Sequence, residues 1–484
     1  MSEYSMTMPQ EVVSIIEILE KGGYEGYAVG GCVRDAMLGR VPEDWDITTS
    51  AKPIEVKKLF RKTIDTGLQH GTITVMMNGN GYEVTTYRID GEYEDGRHPK
   101  EVAFTNNLKM DLERRDFTIN AMAYNEHTGL VDEFDGVGDL ERKIIRCVGD
   151  AGQRFDEDAL RMLRAVRFSG QLGFEIEKNT LDAMEERIRN LQKISAERIR
   201  VEITKLLISP NPGRIRLVYE TGMTGIFLPE IDAMMKCDQR NHHHRYSVGE
   251  HSIHGMECMR DFFCGIFPED LSDYGRKKIQ EISADVNKKQ YTILMLTMLL
   301  HDVAKPVVMT VDEKGEGHFI GHPEKSAAMT RKILRRLTFD NETVDTAERL
   351  IRYHDYRPGT KISQVRKAAA KIGRDIMWME FLVQYADVLS QNPQTIERKL
   401  ARLDECMQKY QIIEKENHPL SVKELAVNGK DLMAAGVAPG PGLGRILNRL
   451  LELVLEEPEK NTKEQLMDIV KKAESMGEVS NTNL

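Results

Sequence analysis

Val29-Gly30-Gly31-Cys32-Val33-Arg34-Asp35, followed by Asp44-Trp45-Asp46, is the stretch on which the fold and chemistry of this chain turn. Tyr27-Ala28-Val29 reads as a short strand ending at the two glycines, with a helix opening after them. Two glycines at a strand-to-helix turn let backbone N–H groups approach a phosphate, and the helix N-terminus favours the anion. Arg34, one turn on, can add a charge-assisted contact to a triphosphate. Asp44 and Asp46 are two residues apart, so on a strand both carboxylates project from one face. That disposition suits Mg²⁺ ions separated by about 4 Å for an in-line displacement. A Gly-Gly turn alone is only a tight turn, and Asp-x-Asp alone is a solvated loop. Taken together, with Glu83 on a nearby hairpin as a possible third carboxylate, they read as a metal site for phosphoryl chemistry.

Outward from this stretch, residues 11–21 carry Val12, Ile15, Ile16 and Leu19 on one helical stripe. Residues 46–49 look strand-like, and 72–77 with 82–89 predict a hairpin across Asn78-Gly79-Asn80-Gly81. The polar stretch from Asp90 to Lys100 reads as a mobile loop. From residue 156 strand signals nearly disappear, and helical periodicity runs over 156–171, 180–191 and 195–208. Pro210-Asn211-Pro212-Gly213 predicts a break, and Ala438-Pro439-Gly440-Pro441-Gly442 interrupts the last helical stretch. No internal repeat is visible. The expected division is an α+β head over 1–150, a helical neck over 151–220, a histidine-rich helical domain over 221–395 and a helical tail over 396–484.

Composition bounds the classes. The 484 residues exceed what one core organises, and 40% hydrophobic with 30% charged residues indicates a folded chain. No apolar run approaches the roughly 20 residues that span a bilayer; the richest, Tyr291 to Leu300, runs straight into His301-Asp302. The N-terminus lacks the basic start and apolar run of a secretory signal. Six scattered cysteines without a Cys-x-x-Cys pair predict neither a disulfide framework nor a zinc ribbon, and the cytosol is the expected compartment. A net charge of -10 argues against indiscriminate binding to nucleic acid or anionic membrane. A local track survives that average: Arg187, Arg189, Lys193, Arg198, Arg200, Lys205, Arg214 and Arg216 stand against two acidic residues. Alone it is a solvated helix face; beside nucleotide-handling features it is a candidate phosphate-contacting strip.

The head resembles the class II tRNA nucleotidyltransferases (CCA-adding enzymes) and the bacterial poly(A) polymerases related to them. The matching residues are Gly30-Gly31-x-x-Arg34-Asp35-x-x-Leu38-Gly39-Arg40, Asp44-x-Asp46-Ile47-x-Thr49 and Glu83-Val84-Thr85-Thr86-Tyr87-Arg88. Tyr93-x-Asp95-x-Arg97-x-Pro99 and the long run Asp111-Leu112-x-Arg114-Arg115-Asp116-Phe117-Thr118-Ile119-Asn120-Ala121-Met122 also fit. The resemblance implies a polymerase-beta-like palm followed by an all-α neck, an HD domain and a tail. It also implies that Gly30, Gly31, Arg34 and Arg115 contact the incoming nucleotide, and that Asp44 and Asp46, with Glu83, form the Mg²⁺-binding catalytic group.

Glu157-Asp158-x-x-Arg161-x-x-Arg164-x-x-Arg167 places charges at steps of three, which form a slowly drifting row on a continuous helix. An exposed ion-pair ladder is the plainer reading of such a row. Cytosine and adenine, however, share an edge with an amino donor beside a ring-nitrogen acceptor. A carboxylate accepts from the first and a guanidinium donates to the second. Guanine and uracil mismatch both contacts. The resemblance assigns this template role to Asp158 and Arg161, with Arg164 and Arg167 near the base or the triphosphate. Ser195-x-Glu197-Arg198-Ile199 matches a further family element expected to be structural.

Histidines concentrate in the middle: His242-His243-His244, His251, His254, His301, His318, His322 and His354. The order His251, His301-Asp302, Asp387 resembles the HD superfamily of helical metal-dependent phosphohydrolases. Such a set forms an octahedral N/O site suited to Mn, Ni, Fe or Mg, with His322 and His354 where some HD enzymes hold a second ion. An active site of this kind would hydrolyse a phosphoester, such as a 2′,3′-cyclic or terminal phosphate on damaged RNA; a degenerate one would only pack against tRNA. No role attaches to His242, His243 and His244. Asn428-Gly429-Lys430-Asp431-Leu432 and Pro439-Gly440-Pro441-Gly442-Leu443-Gly444 resemble the family tail, which implies a hold on the tRNA elbow.

The expected protein adds CCA to tRNA with CTP and ATP, using Mg²⁺ in the head, without membrane or DNA partners. The retained loop from Asp90 to Pro99 fits the full enzyme better than a CC-only branch. An A-adding enzyme or a poly(A) polymerase is the near alternative. From another class, the chain could be an HD phosphohydrolase with a non-catalytic RNA-binding head.

Overall fold

The computed structural model describes residues 5–90, 102–240 and 245–475, and divides into two compact units, Met1–Pro229 and Glu230–Leu484. Most of the loop from Asp90 to Lys100, including Tyr93 to Pro99, and all of His242-His243-His244 lie outside the described residues.

The first unit is built on β1 (Gly26–Val29), β2 (Ile47–Thr49), β3 (Thr63–Gly67), β4 (Thr72–Met77), β5 (Asn80–Thr86), β6 (Arg88–Asp90), β7 (Val102–Phe104), β8 (Met122–Asn125) and β9 (Gly129–Asp132). Seven of these form one sheet in the order β3-β4-β5-β2-β1-β8-β9, and β6 pairs with β7 separately. Neighbours are antiparallel except β2 and β5, whose parallel pairing brings Ile47 opposite Val84. The helix Gln10–Lys21 buries Val12, Ile15, Ile16 and Leu19, the predicted stripe. Tyr27, Val29, Tyr87, Leu112, Ala121, Ala123 and Val148 make a buried apolar cluster in the head.

Three sequence expectations are corrected. The hairpin turns on two residues, Asn78 (φ 51°) and Gly79 (φ 87°), with Met77 paired to Asn80. Positive φ at both central positions makes the turn that matches strand twist, so Asn80 and Gly81 are strand rather than loop. The helix expected over 156–171 is two, Ala151–Glu157 and Leu160–Leu172, because Asp158 adopts extended backbone (φ -145°, ψ 101°). Its carboxylate accepts the Leu160 N–H at 3.0 Å, a local bond that competes with helix continuation. Strands also persist beyond the head: Glu175–Ile176 pairs with Ile144–Ile145, and Thr310–Val311 pairs with Gly317–His318. Two residues per strand are too few to set up a visible alternation.

The second unit is helical. The helix Lys288–Leu300 carries the apolar run read from sequence, and within the span Lys288–Val308 an 18-residue window is 72% buried. Ile293 through Leu300 are all buried, as a core helix requires. This helix ends at His301. Val248–Phe263, His322–Arg336, Asn341–Tyr353 and Met377–Leu389 supply the remaining residues of the histidine cluster. In the tail, Val427, Leu432, Ile446, Leu450, Val454 and Leu466 form a separate apolar cluster. The helix that ends there, Pro441–Glu456, starts at the Pro-Gly break seen in the sequence.

Candidate active sites

In the head, sheet register assembles the acid group. Val29 N–H donates to the Asp46 carbonyl at 3.0 Å, which holds Asp46 next to the Gly30–Gly31 turn. Asp46 precedes the Ile47/Val84 pair, just before its strand begins, and its charge acts on Glu83, the residue before Val84. Asp44, Asp46 and Glu83 are exposed at their tips. Desolvation raises the carboxyl pKa of Asp46; Arg115 pulls it back and Asp44 pushes it further up. Glu83 is raised by desolvation and by the charges of Asp46 and Asp44. Asp46 and Glu83, whose charges are disfavoured beside Asp44, form a site that gains from a cation. Among the described residues, the donor sets that close to within 4.8 Å lie in the second unit, so the head offers an open face rather than a finished cage.

The glycine turn is shaped around Arg115. Gly30 has φ +84°, and a Cβ there would lie 2.9 Å from Arg115 Nη1. Arg115 Nε is buried without a hydrogen-bond partner, and Arg115 Nη2 stands 3.6 Å from Asp111. Asp111 also accepts from Thr48 (3.1 Å) and Arg114 (2.8 Å). Arg34 is 8% exposed and fully engaged: it forks onto Asp35 at 2.9 Å twice and donates to Asn120 Oδ1 at 2.7 Å. It is therefore held in place rather than reaching freely outward.

The neck differs from the expected row of neighbours. Asp158 and Arg161 do not pair, because Asp158 sits in the break between two helices. Asp158 Oδ2 accepts from Arg198 Nη2 at 2.7 Å. Arg161 donates to Glu157 at 2.7 Å and to the Arg114 carbonyl at 2.9 Å. Arg164 donates twice to Asp116 Oδ2 (2.8 and 2.6 Å), and Arg167 pairs with Glu202 at 2.5 Å. Burial works against charge on Asp116, but Arg164 and a bond from Asn120 hold its pKa far below the ordinary carboxylate range. Phe168 carries the guanidinium carbons of Arg34, Arg164 and Arg167 at 4.9, 5.5 and 3.9 Å from its centroid. The sequence assigned no role to Asp116, Asn120, Phe168 or Glu202, and placed Arg198 in the candidate phosphate-contacting strip and in a structural motif. Asp116 and Asn120 lay inside the quoted motif, but nothing local signals their long-range partners. In the basic strip, Arg187 pairs with Asp156, Arg198 with Asp158 and Arg214 with Glu175, so these three are spent on internal ion pairs.

In the second unit all six predicted donors converge. His251 Nε2 lies 3.1 Å from Asp387, 3.3 Å from His301 Nε2 and 3.6 Å from Asp302 Oδ2. On the other oxygen, Asp302 Oδ1 stands 3.3 Å from His322 Nε2 and 3.6 Å from His354 Nε2. Each imidazole is oriented from behind. His301, His322 and His354 direct Nδ1 at the carbonyls of Met298 (2.8 Å), Phe319 (2.9 Å) and Ile351 (2.6 Å), and His251 Nδ1 meets Ser390 Oγ at 3.0 Å. With Nδ1–H donated, Nε2 presents its lone pair inward, the tautomer of a metal ligand. Both Asp302 oxygens are buried without a hydrogen bond, although Lys305 Nζ approaches Oδ2 at 2.7 Å. Desolvation opposes charge on Asp302 and Asp387, but the imidazoles around them, with Lys305 at Asp302, hold both well below the usual range. Lone pairs facing each other across 3.3 Å beside two buried carboxylates fit one or two divalent cations, with Asp302 shared between two donor groups. Ser390, Arg357 and Gln391 carry no signal in the sequence, whereas Lys305 lies in the run around His301-Asp302, three residues after Asp302. His318 and His254 stand apart, paired with Asp312 and Glu257.

A mixed sheet presenting carboxylates beside a glycine turn, with a helical continuation, is a nucleotidyltransferase arrangement. Residues 26–146 match the Poly A polymerase head domain family, and 173–235 match the family described as "Probable RNA and SrmB- binding site of polymerase A". Residues 319–470 match tRNA nucleotidyltransferase domain 2. The CCA-adding enzyme of Lactobacillus helveticus is 33% identical over 454 residues, 93% of this chain and 94% of its own. That of Lactiplantibacillus plantarum is 50% identical over 222 residues, 46% of this chain and about half (53%) of its own length. The Bacillus stearothermophilus CCA-adding enzyme in complex with CTP superposes with a TM-score of 0.66 at 29% identity, covering 98% of this chain and 100% of that one. The chain belongs to the CCA-adding enzyme and poly(A) polymerase family.

Proposed function

We propose that this chain adds CCA to the 3′ end of tRNA from CTP and ATP without a nucleic-acid template. The observation that carries the reading is the backbone bond that holds Asp46 next to the Gly30–Gly31 turn, within reach of Glu83, in a chain aligned with a CCA-adding enzyme over 93% of its length. The tRNA 3′ hydroxyl attacks the α-phosphorus of the nucleotide, and pyrophosphate leaves. Asp44 and Asp46, with Glu83 beside them, would hold Mg²⁺, which supplies charge stabilisation of the hydroxyl and leaving group when bound. The Gly30–Gly31 turn seats the triphosphate close to backbone. Arg115 sets its guanidinium against Gly30, and Arg34, fixed by Asp35 and Asn120, braces the turn. Asp158 and Arg161 read the base edge, with Arg164 and Arg167 beside Phe168 completing the wall.

For the second unit, the favouring observation is the buried Asp302, which belongs to two donor groups and faces four oriented imidazoles. His251, His301, Asp302 and Asp387 would hold one divalent ion, and His322 and His354 with Asp302 a second, in an HD-type phosphohydrolase centre. The domain limits at 150, 220 and 395 belong to the same reading. So does a cytosolic location, with which six free cysteines agree.

Transcripts ending before, within and after the terminal triplet, incubated with CTP and ATP separately, test the main assignment. Stepwise growth to the full triplet supports it. Growth only on the transcript already ending in two cytidines points to the A-adding branch, long adenosine tails point to a poly(A) polymerase, and no growth with intact phosphoesterase activity to the non-catalytic head. Asp158→Ala should relax base choice by about 10- to 100-fold, the worth of a charged hydrogen bond, while Mg²⁺ binding survives. Unchanged selectivity would remove the template role.

A further inference from the structure

We propose that Asp111, buried beneath the acid face of the head, is a positioning residue for nucleotide addition: it anchors Arg115 against the glycine turn and so sets how tightly the incoming triphosphate is held. The proposal rests on the reading that the head seats CTP and ATP. Asp111 lies on the helix Leu108–Glu113 and is 0% exposed, so it acts only through its neighbours.

Its two oxygens join several elements. Oδ1 accepts from Arg114 Nε and Nη2 at 3.0 and 2.8 Å and from the Arg88 N–H at 3.3 Å. Oδ2 accepts the Thr48 hydroxyl at 3.1 Å and stands 3.6 Å from Arg115 Nη2. Thr48 lies on β2, just after Asp46, and Arg88 opens β6, just after the strand that carries Glu83. The carboxylate that meets Arg115 is thereby tied to the backbone on which both acids ride.

Arg115 stands between two claims. Asp111 attracts it from the buried side. On the open side, burial raises the Asp46 pKa and the charge of Arg115 pulls it back. Nη1 meanwhile fills the space beside Gly30. Burial opposes the charge of Asp111 too, but Arg114 and Arg115 keep its carboxyl below the ordinary range, so it is an anion at neutral pH. Without that anion Arg115 would be left to the acids of the open face, where it would neutralise Asp46 instead of meeting a phosphate. Field and position then predict opposite signs. Deleting a negative charge under the site raises the local potential and, by field alone, strengthens the hold on a triphosphate. Releasing Arg115 weakens it.

Titration calorimetry of CTP into the full chain, in EDTA so that Arg115 rather than Mg²⁺ meets the phosphates, separates the two. Asp111→Asn keeps size and should weaken CTP about tenfold, the worth of one charge-assisted hydrogen bond. In an Arg115→Gln background the same substitution should change affinity by less than about twofold, because the guanidinium it positions is gone. Thr48→Val removes one bond to Asp111 with little change of shape and should weaken CTP about threefold. Equal or tighter binding by Asp111→Asn overturns the proposal. So does a tenfold loss that persists without Arg115, which would make Asp111 a structural hub and nothing more. Should Asp111→Asn fail to fold, unchanged affinity in Thr48→Val overturns it instead. A wild type that binds CTP in neither EDTA nor Mg²⁺ removes the triphosphate reading itself, whereas binding that requires Mg²⁺ removes the role of Asp111 alone.

Discussion

The two candidate centres use the same residue classes in opposite ways. In the head, Asp46 and Glu83 stand at an open face and are raised by desolvation and by each other's neighbours. In the second unit, Asp302 and Asp387 are almost fully buried, yet hold their charge against desolvation because imidazoles, Lys305 and Arg357 surround them. On the proposed function, the open acid face would gather cations together with a triphosphate and release them with the product. A buried set with its imidazoles oriented from behind would, on the same proposal, bind ions in their own right. Metal retained through purification should therefore report on the second unit, and metal required only during turnover on the first.

The comparison breaks most visibly at Asp46. Asp46→Ala should lower nucleotide addition by about 10³-fold or more, several kcal/mol of charge stabilisation, while elemental analysis finds the second unit's ions unchanged. Loss of both together would mean that the centres are not separate. His301→Ala with Asp302→Ala is the converse: retained transition metal should vanish and CCA addition should stay within about twofold, since no step assigned to the head uses them. Arg198→Ala leaves Asp158 without its 2.7 Å partner and should cut discrimination between CTP and UTP by about tenfold, read from single-nucleotide incorporation rates.

The smallest effect concerns pH. Glu380 titrates near 4.5 when solvated and near about 8 in the folded chain. Between those values the native state holds a proton that the unfolded state has lost, so its contribution to stability falls as pH rises through that window. Glu380→Gln removes the dependence. Its melting point relative to wild type should rise from pH 5 to pH 8 by a few degrees, measured by calorimetry on both proteins in the same buffers.

The motifs were legible because their residues act close in sequence or at fixed register. Gly30, Asp44, Asp46 and Glu83 stood in short motifs and the histidines with two aspartates followed the order of a known family, although the strand expected to carry Asp44 and Asp46 begins only at Ile47. What stayed hidden came from distance or from competition. Asp116 meets Arg164 forty-eight residues away, and no local pattern encodes that. At Asp158 a side chain that accepts its neighbour's N–H outweighed the helical periodicity on both sides, so a ladder became two helices with different partners. The hairpin erred in the same manner, because Asn78 and Gly79 alone satisfy the turn and the next Asn-Gly pair is free to extend the strand.

Gly30 shows how little room this arrangement leaves. The place where any other residue would carry its first side-chain carbon is taken by the guanidinium of Arg115, and the backbone there is left-handed. Adding a single methyl would both strain the chain and evict the arginine from its post next to Asp46. One missing carbon thus ties the shape of the turn to the charge balance of the acids, and neither can drift without the other.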